Sequence, residues 1–147
     1  MAKAVTQAFH LLTLELETAT PGTYAKPCGL IEVEFNRTAN VTTTEVPDCD
    51  DESKPNYIER EVQSLEFTIS GTGVWAQSGY ETMLDWFYSG TTKNIRIGNL
   101  GAAIGETQYE TGPALITNIG EARTKGQKVS ASIAIEFDGT PTRTAKV

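Results

Sequence analysis

Basic residues, cysteine and long apolar runs are all scarce in this sequence, and each scarcity closes off a class of function. Lysine and arginine together number 12 against 19 aspartates and glutamates, a formal charge of −7. A surface that grips nucleic acid needs clustered cations to displace counterions from phosphate, so an external face of that kind is excluded. Cys28 and Cys49 are the only cysteines. They are too few for a disulfide framework and lack the CxxC spacing of a zinc or redox site, so both read as free thiols of a protein made in a reducing cytosol. No run of about 20 apolar residues exists, and Met1–Val5 does not lead into an apolar core behind a basic start, so neither membrane crossing nor export is expected. The single histidine, His10, lies in a strand-like pattern without the neighbours of a triad or metal cluster. No enzyme, cofactor or metal site is expected.

What the sequence does have is threonine, its commonest residue, and a clear alternation of apolar and polar positions. At 147 residues the chain is read as one domain, 1–147, with polar tails at both ends, of which Thr140–Val147 would hang free in a monomer. Period-2 alternation marks strands over Phe9–Glu17, Leu30–Phe35, Ser64–Ser70 and Val129–Phe137, with shorter strands at Lys93–Ile97 and Ala114–Ile119. Their apolar faces would share one core. The glycine-rich stretch Gly98–Gly105 is expected to be loop or bulge. One segment has helical spacing instead. Tyr80, Met83, Leu84 and Phe87 form a stripe, Ser78 and Glu81 a capping box, and Gly90 a left-handed stop. Trp86 and Tyr88 flank that stripe, either widening the buried face or contacting a neighbouring subunit. The class is therefore mainly β with one α-helix.

Between the second and third strands the chain from Asn36 to Val62 is polar, then acidic at Asp48, Asp50, Asp51 and Glu52, with Pro47 and Pro55 as breakers. It is expected to be a long connecting loop, about 36–63, of a length that signals either function or disorder. Its acids lack the glycine turn and distal glutamate of a calcium loop and read as solvated. Gly71-Thr72-Gly73-Val74-Trp75-Ala76 matches the dinucleotide fingerprint G-x-G-x-x-A. The strand before it alternates, however, and the helix cap lies beyond it, so these glycines read as a strand bend or bulge. The polar faces of the long strands carry Glu15, Glu17, Glu32, Glu34, Glu66 and Glu136 with Thr and Ser between them, and no Lys or Arg. Open sheet faces normally mix both signs, so a one-sign face points to a dedicated surface.

Glu45-Val46-Pro47-Asp48-Cys49-Asp50-Asp51, then Pro55-Asn56-Tyr57-Ile58-Glu59-Arg60, then Ser64–Trp75 and a short helix resemble the major tail tube proteins of long-tailed bacteriophages, most firmly over residues 45–90. The resemblance implies a β-sandwich or barrel with one flanking helix. Six copies would form a ring, and rings would stack into a hollow virion tail tube, assembled in the host cytoplasm, that conducts DNA at infection. It also implies partners: further copies of the chain, a tape measure protein, a tail terminator, tail tip or baseplate proteins, and genomic DNA passing without specific binding. On this reading the six glutamates line the channel. The long loop, with Asp48, Asp50, Asp51, Tyr57 and Arg60, reaches another subunit, while Trp86 and Tyr88 offer a subunit contact. Two alternatives stand beside it: a tube protein of the type VI secretion (Hcp-like) kind, and a monomeric β-sandwich module binding carbohydrate through Trp75, Trp86 or Tyr109.

Overall fold

A computed structural model describes residues 2–147. After a 3-10 turn at Phe9–Leu11 come β1 (Leu12–Glu17), β2 (Tyr24–Ala25), β3 (Leu30–Val46), β4 (Tyr57–Val74), α1 (Gln77–Ser89), β5 (Lys93–Asn99), β6 (Thr107–Ala122), β7 (Ser130–Phe137) and β8 (Thr142–Ala145). Neighbours pair antiparallel in the order β2-β1-β5-β6-β7-β4-β3, with β8 also beside β6. Laid flat, β1 and β3 would stand about 24 Å apart at the usual strand spacing. Yet Leu12 and Ile97 wall the same cavity as Val33 and Arg37. The sheet therefore curls over itself into an open sandwich. One layer is β2, β1, β5, β8 and the first half of β6; the other is the second half of β6 with β7, β4 and β3.

The core lies between the layers. Leu14, Leu16, Ile95 and Ile97 from the first meet Ile69, Ile116, Ile133 and Ile135 from the second, with Trp86 of α1 among them. These are the alternate positions that the period-2 pattern singles out. Three bulges keep apolar residues on this face. Ile31, Gln63 and Thr117 each stand without a partner in the ladder, so the alternation resumes in phase beyond them. The bulge at Ile31 lies opposite Gly73, where a Cβ would come 2.8 Å from the Ile31 nitrogen. Glycine is needed there for close backbone approach, as the bulge reading of the G-x-G-x-x-A stretch requires.

Four sequence expectations are corrected. The C-terminal residues expected to hang free are held in the sheet, where β8 pairs with β6 from Thr107–Ala145 to Thr111–Thr142. The expected loop of about 36–63 is a hairpin: β3 and β4 pair without a gap wider than one residue from Leu30–Gly73 out to Val46–Tyr57, and only residues 47–56 form its turn. β7 pairs with β4 no further out than Thr68, so beyond that point the ribbon is a free two-stranded arm. Ten residues at about 3.3 Å each give it a reach of roughly 33 Å. The helix begins earlier than expected: its N-cap is Ala76, without a side-chain cap, so Ser78 and Glu81 form no capping box, whereas Gly90 ends it in the left-handed conformation (φ 65°) as read. Its buried side is also rotated from the expected stripe. Trp86 is 4% exposed while Phe87 is 41% exposed. The Trp86 indole N–H donates to the Thr91 carbonyl at 3.1 Å, satisfying the one polar group that its burial would orphan.

Candidate assembly and channel surfaces

Register places all six glutamates on the outward side of the curled sheet, but not on one surface. Glu32↔Thr72, Glu34↔Ser70, Thr38↔Glu66 and Thr68↔Glu136 are facing pairs, so Glu32, Glu34, Glu66 and Glu136 share the outside of the second layer. Between them lie Asn36, Thr38, Thr68, Ser70, Ser132, Ala134 and Leu115, and no Lys or Arg. Glu34 accepts a hydrogen bond from Asn36 at 3.1 Å.

Glu15 and Glu17 lie on β1, outside the first layer, and so face away from the other four. Glu15 is 8% exposed and ion-paired to Arg96, its register partner on β5. The Arg96 guanidinium is sandwiched between the rings of Tyr24 and Tyr109, at 4.4 and 4.2 Å from their centroids. Burial, then the Glu17 charge, pushes the Tyr24 phenol above its usual range. The one-sign character expected of the whole outward face thus holds for the second layer and fails for the first. Sequence could not reveal this, because Glu15 and Arg96 are 81 positions apart.

The acidic layer also has an unused strand edge at each side. β3 has no neighbour beyond β4, and β6 pairs with β5 only up to Ala114, which leaves the same side of residues 115–122 without a strand among the described residues. Edges of this length are templates for pairing with another chain.

The arm carries the remaining expected contact residues. At its turn the Asp48 carboxylate accepts the N–H groups of Asp50 and Asp51 at 2.9 and 3.1 Å and faces the Tyr57 hydroxyl at 3.3 Å. These bonds hold the Asp48 carboxyl below its ordinary range. Asp51 likewise takes the Ser53 hydroxyl and N–H, which depresses its own value. The acids shape the turn, while the Asp50 side chain stays exposed. Along the arm, Val41 pairs with Val62, Thr43 with Arg60 and Glu45 with Ile58. The Gln63 bulge puts these pairs on the same face as Ala39, Leu65 and Phe67, so an apolar stripe continues the core face out into solvent. Val41, Ile58, Val62 and Leu65 are each about half exposed along it. Sequence reading missed this stripe because one unpaired residue breaks its period.

At the opposite end of the ribbon, where β3 starts and β4 stops, a cleft of about 750 Å³ opens between α1 and the β1–β2 segment. Pro27, Leu30, Val74, Trp75, Tyr80 and Met83 line it, and the thiol-bearing Cys28 stands in its wall. Trp86 closes its floor from within the core, so it is not available as a subunit contact; Tyr88, at 80% exposed, is. Trp75 and Trp86 border this cleft whereas Tyr109 packs on Arg96 outside the first layer, so the three offer no common sugar-binding platform.

The sequence matches the profile of the phage tail tube protein family over residues 6–143. No curated protein sequence matches it significantly. Among solved structures, the fold is similar to a chain from the tail of an empty gene transfer agent particle refined with C6 helical symmetry, with a TM-score of 0.76 at 20% identity, covering 95% of this chain and all of the other. A chain of the native gene transfer agent virion gives a TM-score of 0.70 at 20% identity with the same coverage. The SPP1 tail tube gives 0.67 at 12% identity, covering 95% of this chain and 80% of that one.

Proposed function

The chain belongs to the phage tail tube protein family, and from that premise we propose that six copies close into a ring and that rings stack into a tube whose channel conducts DNA. Its role is structural and not enzymatic, and its place is the virion tail. The observation that carries the finer reading is the second layer of the sandwich. It has a free strand edge at each side and an outward face bearing Glu32, Glu34, Glu66 and Glu136 without a cation. Pairing the β3 edge of one copy with the open part of β6 in the next would use up both edges of this layer, and a closed ring leaves neither of them exposed. The acidic face would then turn inward, where it repels phosphate and lets the duplex slide without adhering.

In this reading assembly takes place in the host cytoplasm, and a tape measure protein, a terminator and tip or baseplate proteins set where the tube begins and ends. Tyr88, exposed on α1, is a candidate contact with a neighbouring subunit. Negative-stain electron microscopy of concentrated protein, alone and with an initiating tail complex, tests the proposal. Six-fold rings or hollow tubes are expected, and strictly monomeric behaviour under both conditions would refute it.

A further inference from the structure

We propose that Asp138-Gly139, in the connection between β7 and β8, is a self-modification site where the main chain rearranges through a succinimide to isoaspartate, and that the change releases β8 from β6. Asp138, Gly139 and Thr140 are exposed, and Gly139 takes φ 89° with nothing within 4 Å of where a Cβ would stand. Its N–H lies outside both ladders and donates to no acceptor among the described residues. The Asp138 carboxylate pairs with no cation there either. Nucleophile and electrophile are thus adjacent in the chain, unshielded and uncommitted.

The rest of the molecule lacks this combination. Asp48 and Asp51 have their carboxylates engaged by the turn, and the nitrogen that would attack Asp50, that of Asp51, donates to Asp48. Asp85 lies inside α1, where the following N–H belongs to the helical ladder. Each of these aspartates, and every asparagine, precedes a residue whose side chain shields the nitrogen.

The chemistry needs only water. With the carboxyl protonated, the Gly139 nitrogen attacks Cγ of Asp138. The N–Cγ bond forms as the Cγ–OH bond breaks, and the hydroxyl leaves with the amide proton as one water. The five-membered imide then takes a water back. Cleaving N–Cγ restores aspartate. Cleaving the bond from nitrogen to the Asp138 main-chain carbonyl carbon gives isoaspartate, whose chain runs through Cβ and Cγ and whose carboxylate sits on Cα. Nothing is oxidised or reduced.

The fold gives that product nowhere to fit. The Asp138 N–H donates to the Pro113 carbonyl at 2.9 Å, and buried Pro141 sits so close to Gly112 that a Cβ there would lie 3.2 Å from its Cα. Only Gly139 and Thr140 separate these two anchors on β6. Isoaspartate adds one carbon, about 1.5 Å, to the main-chain path. The Pro141 anchor leads directly into β8, which at four residues is the weaker side. A chain built into a particle is not replaced, so the change accumulates with age.

The test ages the folded chain for weeks at physiological temperature beside a urea-unfolded sample. Trypsin, cutting at Lys128 and Arg143, releases residues 129–143, in which Asp138 is the only aspartate and asparagine is absent. Chromatography with electron-transfer fragmentation should find at least tenfold more isoaspartate at 138 than at Asp48, Asp50, Asp51 or Asp85 in the folded chain. Asp138→Glu, whose imide would be six-membered, should form none. In the isomerised fraction the Thr142–Ala145 amides should exchange hydrogen at least tenfold faster than in fresh protein, while equally aged Asp138→Glu keeps its protection. Absence of the isomer at 138 in the folded chain, whether or not the unfolded chain forms it, would overturn the site. Isomer with unchanged exchange over 142–145 would overturn the release of β8.

Discussion

Arg37 of β3 and Glu110 of β6 join through two hydrogen bonds, Nε at 3.2 Å and Nη2 at 2.8 Å, each to a different carboxylate oxygen. The guanidinium also lies over the Phe35 ring at 4.2 Å, and Phe35 packs with Phe67 and Phe137. Arg37 faces Phe67, the first pair outside the reach of β7. The fork thus fixes the arm's root to the body where sheet pairing stops doing so.

Replacing Arg37 by Ala should destabilise the protein by about 1 kcal/mol, because the fork is charge-assisted but the arginine is half exposed. That corresponds to roughly 2–4 °C in Tm for a chain of this size. The larger effect should be local. Hydrogen exchange in residues 38–46 and 57–66 should quicken while the core strands keep their protection. Unchanged exchange in the arm would show that the fork does not hold it.

Trp86 and Tyr88 should separate cleanly. Trp86→Ala removes a buried ring and should cost about 3–5 kcal/mol in urea unfolding. Tyr88→Ala should change stability by no more than about 0.5 kcal/mol, since the side chain is in solvent. If Tyr88 is a subunit contact, light scattering should instead show a raised concentration threshold for assembly in that variant. An unchanged threshold would assign it no such role.

Apart from the Ser78–Glu81 capping box, sequence reading succeeded where a residue's neighbours along the chain decide its environment. The alternation of Leu14 and Leu16, or of Ile133 and Ile135, is buried as its period requires, and Gly90 stops the helix as its conformational freedom allows. It failed where distant residues decide. Trp86 is buried because Thr91 and the curled sheet receive it, not because the stripe through Tyr80 and Phe87 includes it. Glu15 resembles Glu34 in sequence but lies opposite an arginine. The arm read as loop because its apolar residues are sparse and its period slips at Gln63. The run Thr42, Thr43, Thr44, rich in β-branched side chains, was the one signal that marked it as strand.

The turn of the arm should loosen as acid protonates Asp48. Asp48 is held below its ordinary value of 3.8 because its charged form accepts the N–H groups of Asp50 and Asp51. A depressed carboxyl contributes its full share above the ordinary value and loses it as pH falls through its own lower one. NMR amide shifts of Asp50 and Asp51 should therefore titrate with a midpoint below 3.8. Asp48→Asn, which keeps an acceptor oxygen but has no charge to lose, should remove the Asp48 share of the response, leaving that of the Asp51 carboxyl. A midpoint at or above the ordinary value would contradict the assigned hydrogen bonds.

The channel reading predicts opposite outcomes for two sets of charge reversals. Glu34, Glu66 and Glu136 changed to Lys should slow or arrest DNA release from particles carrying the variant tube, and the defect should ease as salt rises. Glu17→Lys, on the other layer, should leave release unaffected. Normal tubes with normal release in the triple variant would place those acids outside the channel, whereas failure to form tubes would place them in a subunit contact.

The ribbon that carries the arm has its turn at one end and the cleft at the other. In the proposed tube, a stack built along this ribbon would be directional, with chemically distinct termini. Growth at the two termini would then be two different reactions, and a nucleus need mimic only one terminus to choose the direction of elongation.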